Sequence, residues 1–237
     1  MSIKAVLFDL DGTLLPMDMD KFVKLYFGAL VEKFTPCGYE AEDFVKSAWK
    51  GINAMRNNDG KVINETVFWN VFYEIYGEER VRGHQSVFDD FYENDFDKAK
   101  GGCGYVPEAA EIIKFVKSKG LKAVLATNPI FPAVATRRRM SWAGLDHNDF
   151  ELYTTYENSG FAKPNLDYYR EVIGKLGLKA EECLMVGNDV SEDMVAEKLG
   201  MKVFLLTDCL LNKDNEDISK YPSGSFKELK EYIEKII

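Results

Sequence analysis

The sequence predicts an α/β protein: a doubly wound parallel sheet of Rossmann-like form, with an α-helical bundle inserted after the first strand. Three observations carry this. The runs beginning at Ala5, Lys122, Cys183 and Lys202 are almost wholly apolar and lack the alternation of a half-exposed strand, so they read as strands covered on both faces. From Pro107 onward such runs alternate with helical patterns across short loops, the rhythm of right-handed βαβ crossovers. Between about Asp18 and Cys103 no such run occurs, and apolar residues recur at helical spacing instead.

Taken in order, Ala5-Val6-Leu7-Phe8 forms the first strand and Asp9-Leu10-Asp11-Gly12-Thr13 the turn after it. Four apolar stripes follow: Phe22, Leu25, Tyr26, Ala29 and Leu30; Val45, Ala48, Trp49 and Ile52; Phe68, Val71, Phe72 and Ile75; Val87, Phe88, Phe91 and Tyr92. Each suits a helix hiding one face in a small bundle. Asn64 is placed to cap the third and Gly77 to end it. Gly101-Gly102-Cys103-Gly104 brings the chain back, and Pro107 fits the first turn of a helix through Ile112, Ile113 and Val116 that Gly120 closes. Lys122–Ala126 is the second strand, a helix through Val134 and Met140 leads to Gly144, and a short strand falls near Leu152 to Thr155. A helix carrying Tyr169, Val172, Ile173 and Leu176 ends at Gly177. Strand Cys183–Val186, a helix running to Gly200, strand Lys202–Leu206 and a final helix bearing Leu229, Ile233 and Ile236 complete the chain, with Ser225 and Glu228 at capping-box spacing before the last.

Composition narrows the possible functions. With 237 residues, 46% hydrophobic and 29% charged, the chain has the make-up of a globular domain with room for an inserted one. A formal net charge of -9 gives no broad attraction to nucleic-acid phosphates or anionic lipid, and no run approaches a membrane span. The start, Met-Ser-Ile-Lys, enters the first strand without the pattern of a signal peptide, so the expected location is cytoplasmic. Cys37, Cys103, Cys183 and Cys209 have no Cys-x-x-Cys spacing and read as ordinary small residues, neither a zinc site nor a disulfide framework.

The strand ends carry the chemistry. Asp9 and Asp11 lie two apart, and Gly12 permits the bend that brings both over the edge of the sheet where ligands bind in open α/β folds. A helix-loop-helix calcium loop fails on spacing, because its sixth position, counted from Asp9, is Leu14 and not glycine. A plain Asp-Gly turn would not predict polar residues at the ends of later strands. Yet Thr127-Asn128 follows the second strand, Phe161-Ala162-Lys163-Pro164 comes next, and Gly187-Asn188-Asp189-Val190-Ser191-Glu192-Asp193 ends another. Clustered carboxylates need a cation, and a hard ion such as Mg²⁺ takes oxygen ligands of this kind. A lysine and a hydroxyl beside it complete a site for a phosphate. Arg137-Arg138-Arg139 reads as a solvated helix face, as do Lys50 and Arg56; His84 and His147 have no partners at ligand spacing.

In this order, each after an apolar strand, these segments resemble the four motifs of the haloacid dehalogenase-like hydrolase superfamily. The resemblance covers a catalytic core of residues 1–16 and 104–237 and makes 17–103 a helical cap domain. It implies a Mg²⁺-dependent phosphomonoester hydrolase working on a small phosphorylated metabolite through an aspartyl phosphate. Asp9 would be the nucleophile, Asp11 the acid and base, Thr127, Asn128 and Lys163 the phosphoryl-binding groups, and Asp9, Asp11, Asp189 and Asp193 the metal site. Asn188, standing between the glycine and Asp189, offers a competing alignment for the outer metal position. A sugar phosphomutase and a phosphonate- or halide-cleaving enzyme use the same core. From a different class, a phosphorylatable receiver-like signalling module also groups acids, a threonine and a lysine on a parallel sheet.

Overall fold

The computed structural model describes residues 2–237. Its centre is a six-stranded parallel sheet in the order β3-β2-β1-β4-β5-β6. The strands are β1 (Ala5–Phe8), β2 (Lys122–Leu125), β3 (Leu152–Tyr153), β4 (Cys183–Gly187), β5 (Lys202–Leu206) and β6 (Ser223–Gly224). β1 is flanked on both sides, Ala5 standing opposite Lys122 on β2 and Cys183 on β4. Its alternate residues serve two cores: Val6 and Phe8 pack into one hydrophobic cluster, Ala5 and Leu7 into the other. This is why the run is apolar throughout.

The chain leaves the sheet after β1, and a bridge between Met17 and Cys103 joins the outgoing and returning strands of chain. Between them lie α1 (Met19–Phe34), α2 (Ala41–Arg56), α3 (Asn64–Tyr76), α4 (Glu78–Gly83) and α5 (Gln85–Asp90), followed by a π-helical stretch, Phe91–Asp95, and a 3₁₀ stretch, Phe96–Gly102. All four apolar stripes therefore lie on helical segments, the last of them split between α5 and the wider π-helical winding. Asp18 caps α1 by accepting from the Lys21 amide. Beyond the insertion come α6 (Glu108–Ser118), α7 (Ala133–Trp142), α8 (Leu166–Leu176) and α9 (Phe226–Ile236), the last with the expected Ser225–Glu228 capping box.

Two local expectations are corrected, and one strand that the pattern does not show is added. Asn64 does not cap α3, whose N-cap is Ile63. Fully buried, Asn64 instead donates to the Pro129 and Phe161 carbonyls at 3.1 and 3.2 Å and accepts from Asn58, fastening the insertion to the core. The segment before Gly200 is a 3₁₀ helix, Met194–Leu199, and β6 is an edge strand too short to leave a pattern. No helix among the described residues is long and apolar enough to cross a membrane.

Candidate active site

Asp9, Thr127, Asn188 and Asp189 stand just beyond the carboxyl ends of β1, β2 and β4, whereas Lys163 comes from the loop before α8 and not from the end of a strand. Asp9 follows β1, with its amide bonded to the Val186 carbonyl of β4 at 2.9 Å. Gly12 has φ +85°, and a side chain there would collide with Asn188, so both the turn and the close approach require glycine. Thr13, carried round by this turn, donates to Asn188 Oδ1 at 3.0 Å and approaches Asp9 Oδ2 at 3.3 Å. Thr127 lies two residues beyond β2, and its carbonyl accepts from Thr154 and Tyr168. Its side chain lines a cleft of about 560 Å³ together with Asp9, Asp11, Asn128 and Asp189.

Lys163 is 1% exposed and lies between two carboxylates, donating to Asp9 Oδ1 at 2.8 Å and Asp193 Oδ1 at 2.6 Å. Burial works against its charge, but Asp193 and Asp9 outweigh that penalty and hold its pKa well above the ordinary lysine value. Burial likewise pushes Asp193 upward, against the pull of Lys163. The second Asp193 oxygen accepts from the Asp189 amide at 3.0 Å, so both its oxygens are engaged within the protein. Gly187 makes room for this carboxylate, since a side chain at 187 would overlap it.

The fourth segment divides its roles. Asn188 is satisfied at both ends, accepting from Thr13 and donating to the Cys209 carbonyl at 2.7 Å. Asp189 Oδ1 accepts from the Ser191 amide and hydroxyl and the Glu192 amide, which fixes the loop and leaves Oδ2 out of these bonds. Among the described residues no three His, Cys, Asp or Glu side chains converge into a ready metal cage.

Two residues enter the site from positions that charge pattern alone assigns to a solvated face. Arg139 is 0% exposed, lies over the Phe131 ring at 4.4 Å and is ion-paired with Asp11 Oδ2. Burial raises the Asp11 pKa and the guanidinium opposes the rise, while Asp11 Oδ1 is buried without a partner. The signal was present in the spacing: Ala135, Thr136, Arg139 and Met140 are the buried stripe of α7, to which Arg137 and Arg138 do not belong. Arg56, at the end of α2, pairs with Glu192, whose second oxygen accepts from Asn128 Nδ2 at 2.9 Å. The Arg139–Asp11 pair is open to a double-mutant cycle: Arg139→Met and Asp11→Asn should show a coupling of about 0.5–3 kcal/mol in urea unfolding. Strict additivity would mean that the two side chains do not interact.

Fold and site together define an α/β enzyme with an aspartate pair on the first strand's edge and a helical insertion roofing it. The chain belongs to the haloacid dehalogenase-like hydrolase family, whose model matches residues 3–200. It is 26% identical over 220 residues to the glyceraldehyde 3-phosphate phosphatase of Methanothermobacter thermautotrophicus, covering 92% of each chain. To the phosphoglycolate phosphatase of Yersinia pestis it is 25% identical over 206 residues, covering 87% of this chain and 82% of that one. Among solved structures, a HAD phosphatase from Thermococcus onnurineus superposes with a TM-score of 0.58 at 19% identity, over 98% of both chains. A 2-haloacid dehalogenase from Pseudomonas syringae pv. Tomato gives 0.65 at 18% identity, over 98% of this chain and 99% of that one. These two likenesses concern the fold.

Proposed function

We propose that the chain is a Mg²⁺-dependent phosphomonoester hydrolase that passes through an aspartyl phosphate on Asp9. The observation that carries this reading is the position of Asp9, at the floor of the cleft, with one oxygen held by Lys163 and the other near Thr13. So oriented, the carboxylate forms a bond to phosphorus as the ester P–O bond breaks. Asp11 gives its proton to the departing oxygen and then takes one from the water that cleaves the acyl phosphate. Burial favours the protonated acid that the first step needs, and the unpartnered Oδ1 is the atom free to deliver it. Thr127 and Asn128 line the cleft, and in this reading they hold phosphoryl oxygens. Lys163 is not among the cleft's lining residues, and its part is to balance and orient Asp9 from behind.

Asp9 and the free oxygen of Asp189, with the Asp11 main-chain carbonyl, are the donors we assign to Mg²⁺. Mg²⁺ is commonly held by one or two carboxylates, with water and phosphate oxygens making up the rest, and this all-oxygen set fits that habit. When bound, the ion would neutralise charge on the phosphoryl oxygens. The Asp11 carboxylate, turned to Arg139, and Asp193, turned to Lys163, are better described as acid–base and supporting groups. Four free cysteines accord with a reducing setting such as the cytoplasm.

The test is phosphate release from a panel of phosphomonoesters with and without Mg²⁺. Turnover should cease in chelator, and Asp189→Ala should raise the Mg²⁺ concentration needed for half-maximal rate by about tenfold or more. An unchanged Mg²⁺ requirement in Asp189→Ala would move the assignment to another residue, and no release from any ester would end the phosphatase reading.

A further inference from the structure

The cleft runs upward from Asp9 into the helical insertion, and its walls bear on the part of the substrate that leaves. Phe22 and Phe27 of α1, Trp49 and Ile52 of α2, and Phe131 of the core line it. Trp49 is 41% exposed, a large apolar side chain left open where most of its neighbours are buried, and its ring lies 5.2 Å from that of Phe27. A half-open aromatic pair lining a cleft is a platform for another flat apolar group.

The charges point the same way. Among the described residues, two basic side chains line the cleft, Arg56 and Lys213. Arg56 is committed to Glu192, and Lys213 is an exposed residue. Asp18 and Asp20 also line the cleft, on the approach to α1 and in its first turn. Arg139 and Lys163, the nearby buried cations, are already matched by Asp11 and by Asp9 with Asp193. A carboxylate or second phosphate on the leaving group would meet aromatic rings and two aspartates, and the cations open to it are Arg56, already held by Glu192, and the exposed Lys213 of the loop after β5. Burying an unpaired charge in such surroundings is strongly disfavoured.

We infer that the substrate class is a phosphomonoester whose leaving group is uncharged and aromatic or otherwise flat and apolar, seated against Trp49. This rests on the phosphatase reading. The experiment has a kinetic arm and a binding arm. In the first, kcat/KM for 2-phenylethyl phosphate should exceed that for phosphoglycolate by about tenfold or more. Trp49→Ala should erase most of that preference through KM, cost glycerol phosphate less than 2-phenylethyl phosphate, and be largely rescued by Trp49→Phe. In the second, calorimetry should show 2-phenylethylphosphonate, which cannot be hydrolysed, binding more tightly than 2-carboxyethylphosphonate, with the difference lost in Trp49→Ala. Equal or better use of phosphoglycolate, or equal losses on all substrates in Trp49→Ala, would overturn the inference. Should no ester turn over, the phosphatase reading fails by itself, and the phosphonate pair still decides what the cleft prefers.

Discussion

Replacing Lys163 by methionine is expected to abolish turnover and to destabilise the fold by about 3–5 kcal/mol, the usual cost of stripping one partner from a buried ion pair. Lys163 is the cation between Asp9 and Asp193, and its side chain and that of Asp193 are each 1% exposed. Without it, two carboxylates face one another with no compensating charge. For a domain of this size the loss corresponds to a fall of roughly 6–20 °C in Tm. The second substitution separates fold from chemistry: Lys163→Met/Asp193→Asn removes one of the stranded charges and should recover part of the lost stability, while activity stays absent. A single variant as stable as the parent would show that the lysine is not the counter-charge of this pair.

Asp9→Asn should produce the complementary result, a nearly unchanged fold with activity reduced by about 10⁴-fold or more, the scale on which removing a nucleophile acts. The amide keeps the shape of the carboxylate and can still accept from Lys163, which retains Asp193 as its ionic partner. Tm should therefore move by only a few degrees. Rapid-quench labelling from a radiolabelled phosphomonoester should give an acid-stable, base-labile phosphoprotein in the parent and none in Asp9→Asn. Full turnover by the variant would rule out attack by this residue.

Much of this architecture is legible before any coordinates. Strands flanked on both sides have no polar face to conceal their limits, so β1, β2, β4 and β5 stand out as apolar runs. Parallel strands deliver their C-terminal residues to one edge, so Asp9, Thr127 and Asp189 could be grouped by topology alone. What escaped depends on tertiary partners. Asn64 has the side chain of a cap, but two distant carbonyls and the nearby Asn58 claim it. Arg139 sits in a run of three arginines, and only its helical phase distinguishes a buried guanidinium from two solvated ones. The two carboxylate partners of Lys163 lie 154 and 30 residues away, so its service to Asp9 from behind could not be told from a direct grip on phosphate.

Two of the attachments that hold the helical insertion to the core differ in kind. Along the start of α3 it is stitched by amides: Asn64 to Pro129 and Phe161, its own backbone N–H to Ser159, and that of Glu65 to Tyr156. Near the end of α2 it is held by the charges of Arg56, 42% exposed, and Glu192. Dissolved salt weakens the second kind of bond and scarcely touches the first. Rising ionic strength therefore slackens this roof at its Arg56 corner and leaves the α3 seam closed.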